Sequence, residues 1–247
     1  MRVGVLVRYV RSGDGLGLAS NHGRFARQMN YLPHRRRRGL PLWPRPSSGY
    51  QVVKRTIDLA ISAAALVVLA LPMLVLAVMI KMEDPSSPAV FRQTRCGLGG
   101  RRFQLLKFRT MARDAELLKE QLRDRSAVAW PDFRVHDDPR VTRIGRVLRR
   151  TSLDELPQLI NVLRGEMSLV GPRPTSFDLE TYELWQTGRL AFRPGITGPW
   201  QVNGRDSMSF EERCRLEIRF FRRPSIAAEL RLLLATVRVV LRRTGVA

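Results

Sequence analysis

LAISAAALVVLALPMLVLAVMI, the stretch from Leu59 to Ile80, contains twenty-two residues and no charged side chain. A straight helix of this length would extend about 33 Å, enough to cross the roughly 30 Å hydrocarbon core of a bilayer. The stretch therefore predicts a helix embedded in a membrane. Pro72, near its middle, lacks the backbone N–H that a helix uses and predicts a bend at that point.

Basic residues flank this segment on both sides. They are Arg35 to Arg38, Arg45, Lys54 and Arg55 upstream, and Lys81, Arg92, Arg95, Arg101 and Arg102 downstream. Positively charged flanks favour the cytoplasmic side of a membrane. We therefore predict a re-entrant hairpin at about residues 54–82, which enters one leaflet, bends at Pro72 and leaves on the same side. A helix that crosses the bilayer and a buried helix of a soluble protein remain as alternatives.

The whole chain is strongly basic. Its 247 residues include 43 Lys and Arg against 22 Asp and Glu, which gives a net charge of +21. Residues 1–55 alone carry twelve basic side chains and one acid, Asp14. Such a charge predicts an anionic partner, and nucleic acid, anionic lipid and phosphorylated substrates all qualify. Beside a membrane segment, lipid head groups are the first choice.

We predict two regions in the chain. Residues 1–50 are rich in Gly, Pro, Ser and Arg, a composition that favours a flexible basic arm. Residues 51–247 are long enough for one folded domain. Cys96 and Cys214 are the only cysteines, too few for a disulfide framework or a cysteine-based zinc site. The sequence has no P-loop and no dinucleotide-binding glycine motif, so kinase and dehydrogenase functions lack a site.

Hydrophobic periodicity outlines the rest of the domain. Residues 89–93 and 102–108 predict the strands of a β-hairpin, and residues 112–125 predict a helix. Residues 141–150 and 226–243 mix apolar side chains with arginines and predict basic amphipathic helices, either solvated on one face or lying on the membrane. The predicted fold class is α+β and mostly helical, with a membrane-embedded re-entrant helix hairpin, amphipathic interfacial helices and a small β-sheet.

Two adjacent acids, Asp154 and Glu155, lie among arginines in a chain that is poor in acids. One interpretation is structural, because Ser152-x-x-Glu155 matches a capping box at the start of a helix. The other is chemical. A helix N-terminus lowers the pKa of a carboxylate and attracts phosphate. An ionised carboxylate can attack phosphorus while its neighbour holds Mg²⁺ together with substrate phosphates, so both acids are candidate metal ligands.

Several cations are candidates for binding those phosphates. Arg173 lies between two prolines on a stiff loop, which suits a fixed contact between its guanidinium and a phosphate. Lys107 and Arg109 alternate with Phe108 at the end of a predicted strand, and Arg149 ends a basic helix. Each of them could equally be a solvated surface cation, and the spacing alone does not separate the two interpretations.

Seven short motifs occur in unbroken order along residues 51–247. They are Lys54-Arg55-x-x-Asp58, Phe91-Arg92-Gln93, Lys107-Phe108-Arg109-Thr110-Met111, Asp138-Pro139-Arg140-Val141-Thr142, Ser152-Leu153-Asp154-Glu155-Leu156-Pro157-Gln158, Gly171-Pro172-Arg173-Pro174 and Arg193-Pro194-Gly195-Ile196-Thr197-Gly198. In these motifs the chain resembles the bacterial sugar transferases, the monotopic polyprenyl-phosphate phosphoglycosyl transferases that start exopolysaccharide, O-antigen and glycoprotein glycan assembly. The family often has Ser-Pro at the helix break, whereas Leu71 precedes Pro72 here.

The resemblance implies transfer of a sugar 1-phosphate from a UDP-sugar to an undecaprenyl-type polyprenyl phosphate, with release of UMP. It implies that Asp154 is the nucleophile of a covalent phosphosugar-aspartate intermediate and that Glu155 supports Mg²⁺ binding. It assigns Lys107, Arg149 and Arg173 to the substrate phosphates. It also implies a re-entrant helix at the cytoplasmic face of the bacterial inner membrane, in contact with membrane lipids.

Two other functions remain open at this point. A membrane-associated nucleic-acid-binding protein would explain the charge, although the resemblance predicts no nucleic-acid partner, and its binding would be indifferent to Asp154. A scaffold protein without catalysis would use Asp154 and Glu155 only to cap a helix. The sequence identifies neither the sugar nor the oligomeric state, for which a homodimer is one option.

Overall fold

The computed structural model describes residues 46–122, 126, 135, 137–177, 181–203 and 208–242. Residues 1–45 of the predicted basic arm lie outside this range, so the arm stays a prediction. The described chain is mostly helical with small sheets, as the sequence predicts. Its α-helices are, in chain order, Ser48–Glu83 (α1), Leu117–Gln121 (α2), Arg143–Thr151 (α3), Gln158–Leu163 (α4), Phe210–Phe221 (α5) and Ile226–Arg242 (α6).

The strands form two separate pairs. Val90–Cys96 (β1) and Arg102–Phe108 (β2) form the predicted antiparallel hairpin. Ser168–Val170 (β3) and Gly195–Thr197 (β4) form a parallel pair that the sequence did not predict. Short 3-10 helices cover Leu98–Gly100, Leu153–Glu155, Leu184–Ala191 and Gln201–Asn203.

The helix predicted at residues 112–125 begins later in the structure, and residues 123–125 lie outside the described residues. Helix α2 begins only at Leu117, and residues 113–116 form turns. The Ala112 N–H donates to the Arg140 carbonyl at 2.9 Å. This contact with a distant segment holds the start of the predicted helix in a non-helical conformation.

Helix α1 contains the whole apolar segment. The Ser47 hydroxyl caps its first turn by accepting a hydrogen bond from the Tyr50 N–H, and the helix continues for 36 residues. Side chains near its middle remain exposed, with Val67 78% and Val68 74% accessible. Within the described residues, α1 is the one helix long and apolar enough to be embedded in a membrane.

The predicted hairpin at Pro72 is not confirmed. Every residue from Ser48 to Glu83 is helical, Pro72 included. A proline removes a single N–H from the hydrogen-bond ladder, and the bonds before and after it hold the neighbouring turns together. The sequence identifies the apolar segment correctly, but the structure does not divide it into two helices.

Both ends of α1 contact the same folded unit. Near the N-terminus, Arg55 donates to the carbonyls of Val162 and Leu163 at the end of α4, at 2.7 and 3.0 Å. Near the C-terminus, the Glu83 carboxylate accepts a hydrogen bond of 2.8 Å from the Arg143 N–H at the start of α3. One face of α1 packs against the body between these two ends, through Ala65, Leu66 and Leu76, whereas the opposite face, which carries Val67 and Leu71, is exposed.

The core that supports the functional residues lies between α1, the hairpin, α3 and α4. One part of α1 packs against a buried cluster that consists of Leu105, Leu159, Val162, Met167 and Leu169. The C-terminal part of α1 joins the hairpin and α3 through Ile80, Phe108 and Leu148. Burial of each such side chain stabilises the fold by about 1.5–3 kcal/mol, so these contacts fix the positions of β2, α3 and α4 relative to α1.

Asp58 should be a strong anchor between α1 and the body. It is 4% exposed and accepts hydrogen bonds from the Ser168 hydroxyl at 2.8 Å and the Leu169 N–H at 3.1 Å. Asp58→Ala leaves both donors buried without this acceptor, and we expect it to lower the free energy of unfolding by about 1–3 kcal/mol. Thermal unfolding in detergent, followed by circular dichroism, measures the loss. The control is Asp114→Ala, which removes an exposed carboxylate, and equal midpoints for the two variants would contradict the prediction.

Candidate active site

Asp154 and Glu155 lie on the short 3-10 turn between α3 and α4. Ser152 follows the last residue of α3. It has a left-handed conformation with φ of 56° and donates its N–H back to carbonyls of the last helical turn. A residue other than glycine rarely adopts this conformation, which costs about 1–3 kcal/mol. It ends the helix and redirects the chain into the turn that carries both acids.

The alternative that Ser152 and Glu155 form a capping box is wrong. In the part of the chain that the structure describes, the Ser152 side chain makes no capping hydrogen bond, and α4 begins at Gln158, after Pro157. The Glu155 carboxylate instead forms an ion pair with Arg173, in which Oε1 and Nη2 are 2.6 Å apart. Helix capping therefore does not explain the two acids.

Three of the predicted cations lie around this turn. Arg173 pairs with Glu155 directly. Lys107, at the end of β2, and Arg149, in the last turn of α3, both favour the ionised form of Asp154 electrostatically. The structure thus brings together residues from β2, α3, the 3-10 turn and the 171–174 loop.

Neighbouring groups hold Arg149 and Lys107 in place. Arg149 Nε donates to the Thr110 hydroxyl at 3.0 Å. Helix α3 can approach Thr110 closely because residue 145 is glycine, since a Cβ at that position would lie 2.1 Å from the Thr110 carbonyl oxygen. The Lys107 ammonium lies 5.5 Å from the centre of the Phe91 ring, which is opposite it in the hairpin. A cation over an aromatic face is favourable at this distance.

Arg109, the fourth predicted cation, makes different contacts. Its Nε donates to the Pro88 carbonyl at 2.9 Å, and its guanidinium carbon is 5.6 Å from the centre of the Phe91 ring. The contacts found within the described ranges do not join it to Asp154 or Glu155. Its role in substrate binding stays a prediction.

The electrostatics of Asp154 differ from the expectation. Burial, followed by the neighbouring charge of Glu155, raises the pKa of the Asp154 carboxyl to about 6, although three surrounding cations oppose this shift. The lowered pKa predicted from a helix N-terminus is therefore wrong for Asp154. Loss of solvation makes the largest contribution to the shift. The acid also lies on a turn that precedes α4, and not in the first turn of that helix, where the N-terminus would lower its pKa most.

Lys107 is shifted in the opposite direction. Burial, followed by the positive charges of Arg95 and Arg149, lowers the pKa of the Lys107 ammonium to about 8, although Asp154 and Glu155 oppose this shift. The ammonium group is charged at neutral pH but is incompletely neutralised by its protein neighbours. A bound anion would stabilise its charged form.

Backbone hydrogen bonds, in addition to its prolines, hold the loop that carries Arg173. The Gly171 N–H donates to the Thr197 carbonyl at 3.0 Å, and the Pro172 carbonyl accepts from the Gly195 N–H at 2.9 Å. These bonds attach the loop to the end of the parallel β3–β4 pair. The parallel pair therefore has a direct role in positioning Arg173, which the sequence alone did not indicate.

Three charged residues near the turn were not predicted from the sequence. Arg95 lies on the hairpin, where its positive charge repels those of Lys107 and Arg173. Glu217, on α5, is fully buried and pairs with Arg189, with 2.7 Å between Oε2 and Nη2. Glu217 follows Arg213 and Arg215 and precedes Arg219 in an arginine-rich helix, a signal that could have identified it. Nothing in the local sequence distinguishes Arg189 or Arg95 from other arginines.

The two adjacent acids are compatible with the predicted Mg²⁺. Among the residues that the structure describes, no group of three or more His, Cys, Asp or Glu side chains could hold a metal ion without other ligands. Mg²⁺ is commonly bound by one or two carboxylates together with substrate phosphates. Asp154 and Glu155 suit such a shared site, and a cation bound by Glu155 would compete with its Arg173 ion pair.

A long apolar helix packed beside adjacent acids and clustered cations is an arrangement that suits a membrane-associated protein with an anionic ligand. The match to a known family makes this class specific. The chain belongs to the bacterial sugar transferase family, whose model matches residues 49–243. The resemblance stated from the sequence motifs is thereby confirmed.

Curated relatives support the same family. The chain is 40% identical over 196 residues to the galactosyl transferase CpsE of Streptococcus agalactiae. It is 44% identical over 198 residues to the UDP-galactose-lipid carrier transferase of Erwinia amylovora, and 41% identical over 207 residues to the UDP-glucose:undecaprenyl-phosphate glucose-1-phosphate transferase of Caulobacter vibrioides. These matches cover 78%, 78% and 80% of this chain. They cover 43%, 41% and 73% of the relatives, so the chain spans less than half the length of the first two.

Asp154→Asn should stabilise the fold at neutral pH. The pKa of Asp154 in the folded protein, about 6, lies above its usual value of 3.8, so its stability contribution is full below the usual value and is lost as the pH rises through about 6. We expect the variant to exceed the wild type by roughly 1–3 kcal/mol at about pH 7.5, and the difference to vanish near pH 4. Urea unfolding at a series of pH values measures it. A difference that does not depend on pH, or a less stable variant, would contradict this interpretation of the carboxylate.

Proposed function

We propose that the protein transfers a sugar 1-phosphate from a UDP-sugar to an undecaprenyl-type polyprenyl phosphate, and so begins the assembly of an exopolysaccharide, O-antigen or other glycan. Membership of the bacterial sugar transferase family supports this proposal. So does the name of the Caulobacter vibrioides relative, which specifies a UDP-glucose donor and an undecaprenyl-phosphate acceptor. The observation that carries the proposal is the half-buried Asp154 carboxylate, with its pKa near 6, beside Glu155 and among cations.

The reaction proceeds in two displacements at one phosphorus atom. In the first, an Asp154 oxygen forms a bond to the phosphorus that carries the sugar, and the bond from that phosphorus to the bridging oxygen of the diphosphate breaks, which releases UMP. In the second, a phosphate oxygen of the polyprenyl phosphate attacks the same phosphorus and releases the Asp154 carboxylate. The product is a polyprenyl diphosphate sugar. The covalent step means that donor and acceptor need not be bound together.

The charges at the site suit both displacements. A carboxylate with a pKa near 6 is mostly ionised at neutral pH, as a nucleophile must be. Lys107, Arg149 and Arg173 supply positive charge for the non-bridging oxygens and for the leaving UMP. Mg²⁺, held by Glu155 with a contribution from Asp154, would add charge neutralisation on the donor's phosphates when it is bound.

We also propose that α1 is re-entrant and lies at the cytoplasmic face of the bacterial inner membrane. The attachment of Arg55 and Glu83 to the same folded unit supports this, because a bilayer cannot separate two ends that contact one body. The basic residues on both flanks support the cytoplasmic side. In this topology the exposed face of α1, which includes Val67 and Leu71, contacts lipid.

Two further helices suit the membrane interface. Helix α6 exposes Leu234, Val237 and Leu241, with Leu241 77% accessible, on a helix that also carries exposed arginines. Helix α3 exposes Val147 between arginines in the same way. Exposed apolar side chains beside Arg are typical of helices that lie at a lipid surface. We propose that both contact anionic head groups.

Asp154→Asn should abolish the reaction. The assay measures UMP release from a panel of UDP-sugars in the presence of Mg²⁺ and polyprenyl phosphate. With the UDP-sugar that reacts, we expect release to fall by about 1,000-fold or more in the variant, because the amide cannot form the covalent intermediate. Without acceptor, intact-protein mass spectrometry should detect the sugar phosphate on the wild type and not on the variant. The control is Asp114→Asn, an exposed acid outside the site. No release by folded wild-type protein across the panel would contradict the proposal and favour a nucleic-acid-binding or scaffold role.

A cysteine-labelling experiment tests the topology. Gln51→Cys and Ser86→Cys place exposed thiols on either side of the apolar segment, and the native Cys96 and Cys214 are buried. A re-entrant α1 predicts that a membrane-impermeant maleimide labels both positions in inside-out vesicles and neither in intact spheroplasts. Val68→Cys, on the exposed face of α1, should react in neither. Labelling of the two flanks from opposite sides would establish a crossing helix instead.

A further inference from the structure

A buried ion pair binds the peptide groups on both sides of Arg173. The Arg173 N–H donates to Glu217 Oε1 at 2.9 Å, and the Arg173 carbonyl accepts from Arg189 Nη2 at 2.6 Å. The two side chains also pair with each other. Glu217 is 0% exposed and Arg189 is 4% exposed. Both side chains thus hydrogen-bond to the backbone of the same residue, Arg173.

Stability alone is a weak reason for this arrangement. Two charges removed from water lose their hydration, and apolar residues of similar volume often stabilise a protein at least as well as a buried ion pair does. The Trp200 indole N–H also donates to Glu217 Oε1, at 3.0 Å. One carboxylate oxygen thus receives two N–H donors, which restricts Glu217 to one orientation and restricts the Arg173 peptide with it.

We propose that Glu217 and Arg189 are positioning residues for Arg173, which hold its backbone so that its guanidinium can exchange Glu155 for a substrate phosphate without movement of the loop. The Arg173 side chain is 38% exposed, so it can reach a ligand, whereas the buried pair lies behind it. The inference rests on the proposed function for the identity of the anion, the diphosphate of a nucleotide sugar. A preorganised arginine of this kind loses little freedom when it binds phosphate.

Binding of inorganic pyrophosphate, measured by isothermal titration calorimetry in detergent, tests the proposal without turnover. Glu217→Gln removes the negative charge that holds Arg189, and we expect it to weaken pyrophosphate binding about tenfold. The matched control is Glu229→Gln. Glu229 is 5% exposed and pairs with Lys54 at 2.5 Å, at the junction of α1 and α6. This variant should leave the affinity within about twofold of the wild type. Equal losses in the two variants would overturn the proposal.

A double variant separates positioning from stability. Glu217→Leu combined with Arg189→Met removes the pair without leaving one buried charge unpaired. We expect its unfolding midpoint to recover relative to Glu217→Gln, and its pyrophosphate affinity to stay low because the Arg173 peptide groups lack both partners. Recovery of affinity together with the midpoint would overturn the proposal in favour of a purely structural pair.

A thermodynamic cycle tests whether the pair acts through Arg173. Arg173→Ala should itself weaken pyrophosphate binding at least about tenfold. In that background Glu217→Gln should cause no further loss. An additive second loss would overturn the proposal, as would the absence of pyrophosphate binding by the wild type.

The experiments distinguish failure of the positioning role from failure of the proposed reaction. A wild type that binds pyrophosphate with the expected coupling, but releases UMP from no UDP-sugar, would refute the proposed reaction and keep the positioning role. A wild type that releases UMP, but in which Glu217→Gln and Arg173→Ala have additive effects, would refute the positioning role and keep the reaction.

Discussion

Burial of the Asp154 carboxylate among positive charges is the constraint on which the site depends. Burial favours its protonated form, and the surrounding cations favour its ionised form. The balance leaves a carboxylate that is ionised at neutral pH but poorly hydrated, a condition typical of residues with a chemical role. Burial, followed by the positive charges of Arg95 and Arg149, likewise lowers the pKa of the neighbouring Lys107. A phosphorylated ligand would supply the missing negative charge.

Three separate segments supply the cations of this balance, and each has its own support. The hairpin register sets Lys107 opposite Phe91. The close approach of α3 to Thr110, which Gly145 permits, sets Arg149. The loop that carries Arg173 is attached to β3 and β4 through Thr197 and Gly195. Because these supports are distant in sequence from one another, the positions of the charges are a property of the tertiary fold and not of any one motif.

Sequence patterns predicted the parts of the molecule that local chemistry determines. The apolar run from Leu59 to Ile80 identified α1, and alternation identified the β1–β2 hairpin. The adjacent acids were also recognisable, since acids are few in this basic chain. The family motifs added roles that composition alone did not give.

The remainder depends on contacts across the chain. The left-handed Ser152 replaces the expected capping box, and no local propensity predicts it. The direction of the Asp154 pKa depends on how deeply tertiary packing buries the turn. Glu217 is 44 residues from Arg173 in sequence, so only the folded chain shows that they are partners. The hairpin at Pro72 is not confirmed, because the 36-residue helix continues through this residue, and a proline can bend a helix without ending it.

Packing also links the acids to the apolar helix. Leu153 and Leu156, which flank Asp154 and Glu155, pack in the cluster that contains Ile80 of α1. The turn that carries both acids is therefore held against the C-terminal part of α1 by apolar contacts. In the proposed topology, any depth that the membrane imposes on α1 is imposed on this turn. In the proposed re-entrant topology this places the acids near the head groups, where the phosphate of a polyprenyl lipid also lies. The acceptor would then reach the phosphosugar by lateral diffusion, without leaving the bilayer.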